Sequence, residues 1–498
     1  MSTIDFKKLK SGTDIRGVAS NCLGGKITLD GEIAEIFAKA FVKWLSVKLN
    51  KTKLKIAVGC DSRITAKELS DGFCKGATES GCDVVCAGLS STPSMFILLK
   101  QSDFNCDASV MITASHLPAD RNGLKFFIPS GGLGAKDIDE LIFVAEKGDF
   151  LSGHGEVTYR SFMDEYSAIL AAYVRSNCDS ERPLEGKKII VDAGNGAGGF
   201  FAEKVLKPLG ADTSGSLFLE PDGTFPNHIP NPEDGKAIAF LKEAVLKNNA
   251  DLGVIFDTDV DRAAIVDSRG NEINRNRLIA LLSAMLFKER TGTIVTDSVT
   301  SDGLTEFIES RGGKHCRYKR GYKNVIDKCI SLNEQGEYSP LAIETSGHAA
   351  FKENYYLDDG AYLITRILIL VAKQTNGITE LIKDLKEPAE AVEIRLAFKE
   401  GVDFRSKGEE IFSSIISEAE KTRGVSVAKE NYEGVRLCFD RGFGDGWSLV
   451  RMSLHDPILP INIESDIQGG IAKIIPFIYS VLSRFEYLDA GKLENYLG

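Results

Sequence analysis

The sequence has no apolar run long enough to cross a bilayer, which takes about 18 or more consecutive apolar residues. The longest candidates, Leu278–Phe287 and Ile367–Ala372, are short and bounded by charge. A basic surplus is also missing: 60 Lys and Arg stand against 71 Asp and Glu, a formal charge of −11. A general nucleic-acid binder needs the opposite balance, because cationic side chains must replace counterions along the phosphate backbone. No paired C-x-x-C knuckle occurs among the ten cysteines, of which only Cys82 and Cys86 lie close together. They read as reduced, small buried apolar residues in a reducing compartment. Histidine is scarce, at six. The opening residues show neither the apolar core nor the Arg/Ser-rich stretch of a targeting peptide. A cytoplasmic protein that engages neither membrane nor nucleic acid is therefore expected.

What is present is ordinary globular composition spread over 498 residues, with 43% hydrophobic and 26% charged residues. That length suggests about three or four domains. Short β-branched runs alternate with helical patterns, the signature of α/β units. Lys53–Gly59 reads as a strand entering Cys60-Asp61-Ser62-Arg63, with a helix from about Ala66. Lys187–Val191 does the same into Asp192-Ala-Gly-Asn-Gly196, with a helix through Phe201–Leu209. Thr293–Thr296 repeats it into Asp297–Gly303, with a helix over Leu304–Ser310. Strand, acidic or glycine turn and helix thus recur three times, a weak internal repeat. After Val392 the acidic turns stop, and strands with amphipathic helices suggest a smaller α+β domain. The expected divisions are 1–158, 159–269, 270–388 and 389–498.

Four segments carry chemistry. Asp257-Thr-Asp259-Val-Asp261-Arg262 follows the buried-strand run Leu252–Phe256. Three alternating carboxylates repel one another unless they share a cation, and oxygen-only ligands suit a hard ion such as Mg²⁺. A solvated acidic loop is the plainer alternative. In Met111–Phe127 a strand leads to Ser115-His116, turns at Pro118 and Asn122-Gly123, and returns with Lys125. A serine with a cation and a base nearby suits nucleophilic or phosphate-carrying work; equally, it could bond its own turn. Glu344-Thr-Ser346-Gly347-His348 offers acceptor, hydroxyl and imidazole to sugar hydroxyls, or is a simple Ser-Gly turn. Arg451-Met-Ser453 could clamp phosphate, since guanidinium binds its oxygens bidentately, or could be an exposed turn.

In this order, the segments together resemble the α-D-phosphohexomutase superfamily, most closely its phosphomannomutase/phosphoglucomutase branch. The resemblance starts at Gly12-Thr-Asp14-Ile-Arg16-Gly17 and runs through the four loops to Pro457 and Pro460–Glu464. Asp192–Gly196, Pro221-Asp-Gly-Thr-Phe-Pro226-Asn and Asp358-Asp-Gly360 also match. It implies a heart-shaped, four-domain enzyme: three similar α/β domains and a C-terminal α+β domain like the TATA-box-binding protein, with one loop from each domain meeting in a cleft. Ser115 would carry the phosphoryl group, and Ser115, Asp257, Asp259 and Asp261 would hold Mg²⁺. A hexose 1-phosphate and hexose 6-phosphate of mannose or glucose would interconvert through a hexose 1,6-bisphosphate, which also serves as primer. Arg16 and Lys125 would add positive charge, and Lys125, His348 and His116 are the acid/base candidates. Arg262, Arg320, Gly321, Tyr322, Lys323, Glu344, Ser346, Arg451, Ser453 and His455 would contact the phosphosugar. A monomer or small homo-oligomer is expected.

Departures bear on substrate choice. Leu454, His455 and Asp456 fill the middle of a terminal loop that often reads Arg-x-Ser-Gly-Thr-Glu-Pro. Thr258 and Val260 stand where glycines are common, Ile343 precedes Glu344 in place of glycine, and Tyr322 occupies a frequent histidine position. Val299–Gly303 is faintly similar to phosphoglucosamine mutases, which leaves that activity as the runner-up. A phosphosugar-binding relative without turnover is the non-catalytic alternative. Phe256-Asp257-Thr-Asp259-Val260 also fits the aspartate-nucleophile motif of haloacid-dehalogenase phosphatases. Those continue into a helix, whereas Ala263–Val266 reads as a strand.

Overall fold

Strand β1 (Asp14–Val18), helix α1 (Gly31–Leu49), strand β2 (Lys55–Cys60), helix α2 (Ala66–Glu79) and strands β3 (Asp83–Leu89), β4 (Ala108–Ile112) and β5 (Arg121–Ile128) build the first domain. The computed structural model describes residues 5–374, 377–453 and 456–497. Four consecutive buried residues in β2 and five in β4 mark central strands covered on both faces. β2 pairs in parallel with both β3 and β4, and β5 runs antiparallel to β4 and β1. The chain thus leaves β2 first to one side and later to the other. Such a reversal opens a crevice at the carboxyl ends of the strands, where Cys60–Arg63 and the Ser115 loop begin.

Asn122-Gly123, expected as a turn, lies inside β5. Gly123 pairs with Arg16 of β1, and its carbonyl accepts the Thr113 amide. A Cβ at Gly123 would lie 2.5 Å from the Ile15 carbonyl oxygen and 2.8 Å from that of Thr113. Only glycine lets three backbones converge here, and this convergence brings Arg16 beside the serine loop.

In the second domain, Ile189–Asp192 runs parallel to Leu252–Phe256, which turns back as the antiparallel strand Ala263–Asp267. The helix expected through Phe201–Leu209 is a π-helical turn over Phe201–Leu206 and a 3₁₀ turn over Lys207–Leu209. Pro208 lacks the amide hydrogen that a regular helix would need there.

The chain divides into two compact units, Met1–Asn274 with Ser346–Glu380, and Arg275–Thr345 with Leu381–Gly498. The stretch expected as one third domain, 270–388, is shared between them. Residues 346–380 belong with the first unit for a packing reason. Their helix Gly360–Lys373 lies on helix Met163–Cys178, with Tyr166 bonded to Asp359 and Arg366 to Tyr173. Gly360 also seats directly on the Arg262 backbone, where a Cβ would come within 2.8 Å.

In the second unit, Thr293–Thr296 pairs in parallel with Lys314–Arg317 and Leu341–Ile343. The last domain is a five-stranded antiparallel sheet, with helices Phe404–Lys421 and Ile471–Leu482 contributing to its apolar core. Arg436 is buried against Trp447, 3.7 Å from guanidinium carbon to ring centre. It donates to the Ser298 and Thr300 carbonyls and to Asp302, tying this sheet to the loop after Thr296.

All ten cysteines are free thiols. Four are buried and five half-buried, but Cys22 is exposed, against the expectation of burial. Among the described residues, no helix is long and apolar enough to cross a membrane.

Gly123→Ala should lower the thermal unfolding midpoint, with a loss of about 1–3 kcal/mol from forced backbone displacement. An unchanged midpoint in calorimetry would contradict the close approach.

Candidate active site

Phe256 pairs with Ala263, so Asp257–Arg262 is a six-residue hairpin loop. All six residues are buried. Val260 has φ +67°. A β-branched residue is a genuine outlier there, at a cost of about 1–2 kcal/mol. This explains why a glycine suits that position. The strained turn is held from outside: the Gly360 amide donates to the Val260 carbonyl, and Gly196 lies against Thr258 with no room for a Cβ.

The turn places Asp257, Asp259 and Asp261 with one ligand oxygen each, all within 4.8 Å of one another. Burial, then the charge of Asp261, pushes Asp257 well above the ordinary carboxylate range, and the same pair of causes raises Asp259. Burial would raise Asp261 too, but Lys125, His348 and Arg262 hold it far below. Oδ1 of Asp259 and Oδ1 of Asp261 are buried without a hydrogen-bond partner. An all-oxygen donor set with unsatisfied anionic atoms fits a hard divalent cation. The carboxylates can therefore hold a metal ion.

Against this loop lies Ser115, itself at φ +50°. Its amide donates to Thr113 Oγ1, which helps fix the turn. Its Oγ donates to Asp257 Oδ2 and accepts from Arg262 Nη2, both at 2.9 Å. His116 Nδ1 is 3.4 Å from the same oxygen. Arg262, then burial, pushes His116 down to about 2, so its ring is neutral. Lys125 Nζ bonds Asp261 Oδ2 at 2.8 Å. Arg16 pairs with Asp14 at 2.8 Å and approaches the Ala114 carbonyl at 3.4 Å.

His348 reaches this group through a bridge between its backbone and that of Arg262. Gly347, at φ +94°, makes the bend, and Ser346 beside it is buried. Burial disfavours the imidazolium, but Asp261 and Asp358 outweigh it and raise His348 to about 9. Ten of the expected residues thus lie in the first unit: Arg16, Ser115, His116, Lys125, the three aspartates, Arg262, Ser346 and His348.

The second unit holds another set. Glu344 accepts the Gly321 amide at 2.6 Å. Arg320 and Ser453 line a cavity of about 470 Å³ together with Lys319, Arg405 and Glu433. Glu433 fixes one rim by accepting from Ser298 and from the Arg320 amide. Arg451 is buried, and burial with the nearby Arg320 charge lowers its pKa. Tyr322 opens helix Tyr322–Glu334, on which Lys323 pairs with Asp327. His455 lies outside the described residues.

With this geometry in hand, comparison with known proteins is direct. Residues 7–149, 164–270 and 274–388 match, in order, α/β/α domains I, II and III of the phosphoglucomutase/phosphomannomutase family models. The chain belongs to the phosphoglucomutase/phosphomannomutase family. It is 32% identical to a phosphoglucomutase of Neisseria meningitidis over 93% of this chain and 94% of that one. A phosphomannomutase/phosphoglucomutase of Pseudomonas syringae is 30% identical over 95% and 94%. The solved structure of a family protein from Burkholderia thailandensis superposes with a TM-score of 0.80 at 26% identity, covering 96% of this chain and 97% of that chain. The phosphohexomutase fold of three α/β domains and a fourth sheet domain follows. The enzyme is an isomerase of the α-D-phosphohexomutase superfamily.

Sequence reasoning missed three side chains. Arg63 is buried beneath the serine loop, Arg436 ties the last sheet to the third domain, and Thr92 bonds Asp259 through both its hydroxyl and its amide. Thr92 and Arg436 have no local signal. Arg63 had one, an Asp-x-Arg at the end of a central strand.

Calorimetric titration with MgCl₂ or MnCl₂ should show one divalent site, with at least a tenfold loss of affinity in Asp259→Asn, on the scale of one lost anionic ligand. Because burial and the Asp261 charge raise the Asp257 carboxyl above its ordinary range, metal binding should release protons and tighten as pH rises. Unchanged affinity in the variant would remove the triad as the site.

Proposed function

We propose that the enzyme interconverts hexose 1-phosphate and hexose 6-phosphate, of mannose, glucose or both, through a phosphoserine at Ser115. The observation that carries this reading is the Ser115 oxygen held jointly by Arg262 and Asp257 at the edge of the carboxylate triad. A hydroxyl that only bonded its own turn would not need a buried guanidinium from another domain. Ser115, Asp257, Asp259 and Asp261 would hold Mg²⁺, which when bound supplies positive charge to the oxygens of a transferring phosphoryl group.

In the first half-reaction the bond from phosphorus to Ser115 Oγ breaks and one to a sugar hydroxyl oxygen forms; in the second the bond from the other phosphorus to its sugar oxygen breaks, that oxygen regains a proton, and the bond to Ser115 Oγ re-forms. The hydroxyl proton passes to a base among Lys125, His348 and His116. The resulting hexose 1,6-bisphosphate returns its other phosphoryl group to Ser115, and the same bisphosphate primes a dephosphorylated enzyme. Arg262, Lys125 and Arg16 contribute positive charge during transfer. Glu344 and Ser346 serve the sugar hydroxyls. Arg320 with Gly321, Tyr322 and Lys323, and Arg451 with Ser453 and His455, serve the non-reacting phosphate. We further propose domain divisions at 158/159, 269/270 and 388/389 and a cytoplasmic location.

Ser115→Ala should abolish mutase activity, and normal turnover by that variant would refute the phosphoserine. Arg451→Ala should raise KM for hexose 1-phosphate about tenfold or more, the scale of a lost charge-assisted contact; an unchanged KM would count against the clamp. Rates on mannose, glucose, glucosamine and N-acetylglucosamine 1-phosphates, each with Mg²⁺ and bisphosphate primer, decide the sugar. A preference for an amino sugar would overturn the mannose and glucose assignment, and binding without turnover would overturn the enzyme reading.

A further inference from the structure

Ser115 stands in a left-handed conformation between β4 and β5, and this turns several carbonyl groups of its loop toward one point. Converging carbonyl oxygens repel unless a multivalent donor lies between them. Arg63, on the turn that leaves β2, fills that place. Its Nη1 donates to the Pro118 carbonyl at 2.7 Å and the Arg121 carbonyl at 2.9 Å. Its Nη2 donates to the Ser115 carbonyl at 2.5 Å and the Leu117 carbonyl at 2.6 Å. The side chain is wholly inaccessible, as is that of Asp61, which faces Arg63 Nε at 3.4 Å. Asp61 Oδ1 accepts the Arg63 amide at 3.0 Å, and Thr113 Oγ1 accepts the Ser115 amide at 2.9 Å. The backbone of Ser115 is therefore held on its N–H by Thr113 and on its C=O by Arg63.

The second domain seals this pair. Phe225 lies with its ring centre 5.2 Å from the guanidinium carbon. Gly223 packs on the same turn so closely that a Cβ would come within 2.3 Å of the Ile64 amide nitrogen. The segment Pro221-Asp-Gly-Thr-Phe-Pro226, which the proposed chemistry leaves without a part, has its use here.

We infer that Arg63 is a positioning residue for the phosphoryl-carrying serine, holding the loop so that Ser115 Oγ meets Arg262 and Asp257, with Gly223 and Phe225 as its lid against water. The inference rests on the reading of Ser115 as the phosphoryl carrier. A lysine keeps the charge but cannot donate to four carbonyls in one plane, so Arg63→Lys loosens the loop while leaving Asp61 paired.

The test labels wild-type enzyme, Arg63→Lys and Phe225→Leu with ³²P-hexose 1,6-bisphosphate. It maps the labelled peptide and measures labelling rate, kcat, KM and thermal midpoint. Wild type should label on Ser115. In folded Arg63→Lys, the labelling rate and kcat should both fall about 100-fold, the scale of a displacement near 1 Å at the reacting atom, with KM within about threefold because ground-state binding is untouched. Phe225→Leu, which leaves the buried charge pair intact, should show a smaller fall in the same two rates and carries the test if Arg63→Lys does not fold. Wild-type labelling rates in folded Arg63→Lys, or in Phe225→Leu where it alone folds, would overturn the positioning role. So would a loss confined to KM. Label on a residue other than Ser115 in the wild type would instead overturn the phosphoserine reading, and this inference with it.

Discussion

Three carboxylates confined to one buried hairpin loop are the constraint from which the rest of the site follows. Asp257, Asp259 and Asp261 cannot all be ionised at such separation without positive charge close by. Lys125, Arg262 and His348 bring that charge from three separate stretches of chain. Much of the first unit's construction serves their delivery. Gly123 admits β1 and Arg16, Gly347 bends His348 inward, and Gly360 lets a helix rest on the Arg262 backbone. The fold is acidic overall, yet its most demanding interior point is where anion and cation are counted against each other.

The strained backbones belong to the same account. Ser115 and Val260 both sit at positive φ, in loops that face one another through the Ser115–Asp257 bond. Neither conformation is comfortable for its residue, and each persists because surrounding contacts outnumber the alternatives. A relaxed loop at either position would carry its oxygen away from the guanidinium of Arg262. Here strain expresses how closely two domains must agree on the position of a single oxygen atom.

The chemistry-bearing loops were legible in the sequence because they terminate apolar runs. Leu252–Phe256 and Met111–Ile112 announce buried strands, and polar residues directly after them must lie at strand ends. The Asn122-Gly123 pair misled for the opposite reason. It has turn composition, but its glycine answers a tertiary need, close packing between backbones, which local pattern does not encode. Arg63 carried a local signal, the Asp-x-Arg after β2, but its role was hidden. Its partners are backbone carbonyls more than fifty residues away, and carbonyls leave no compositional trace. The assignment of 346–380 to the first unit depends on helix packing and a single glycine contact, again invisible to periodicity.

The interleaving of the two units bears on how the polypeptide is made. The first unit is complete only when Ser346–Glu380 has joined Met1–Asn274, and the second needs its final stretch as well. On the ribosome, residues 275–345 emerge between the two parts of the first unit, a wait of roughly 4–14 s at ordinary elongation rates. During that interval the Asp257–Arg262 loop has Lys125 and Arg262 beside its carboxylates but lacks His348 and the Gly360 amide. The order in which the chain leaves the ribosome thus gives this hairpin Thr92, Ser115 and Lys125 first, and the cation at His348 and the amide of Gly360 only later.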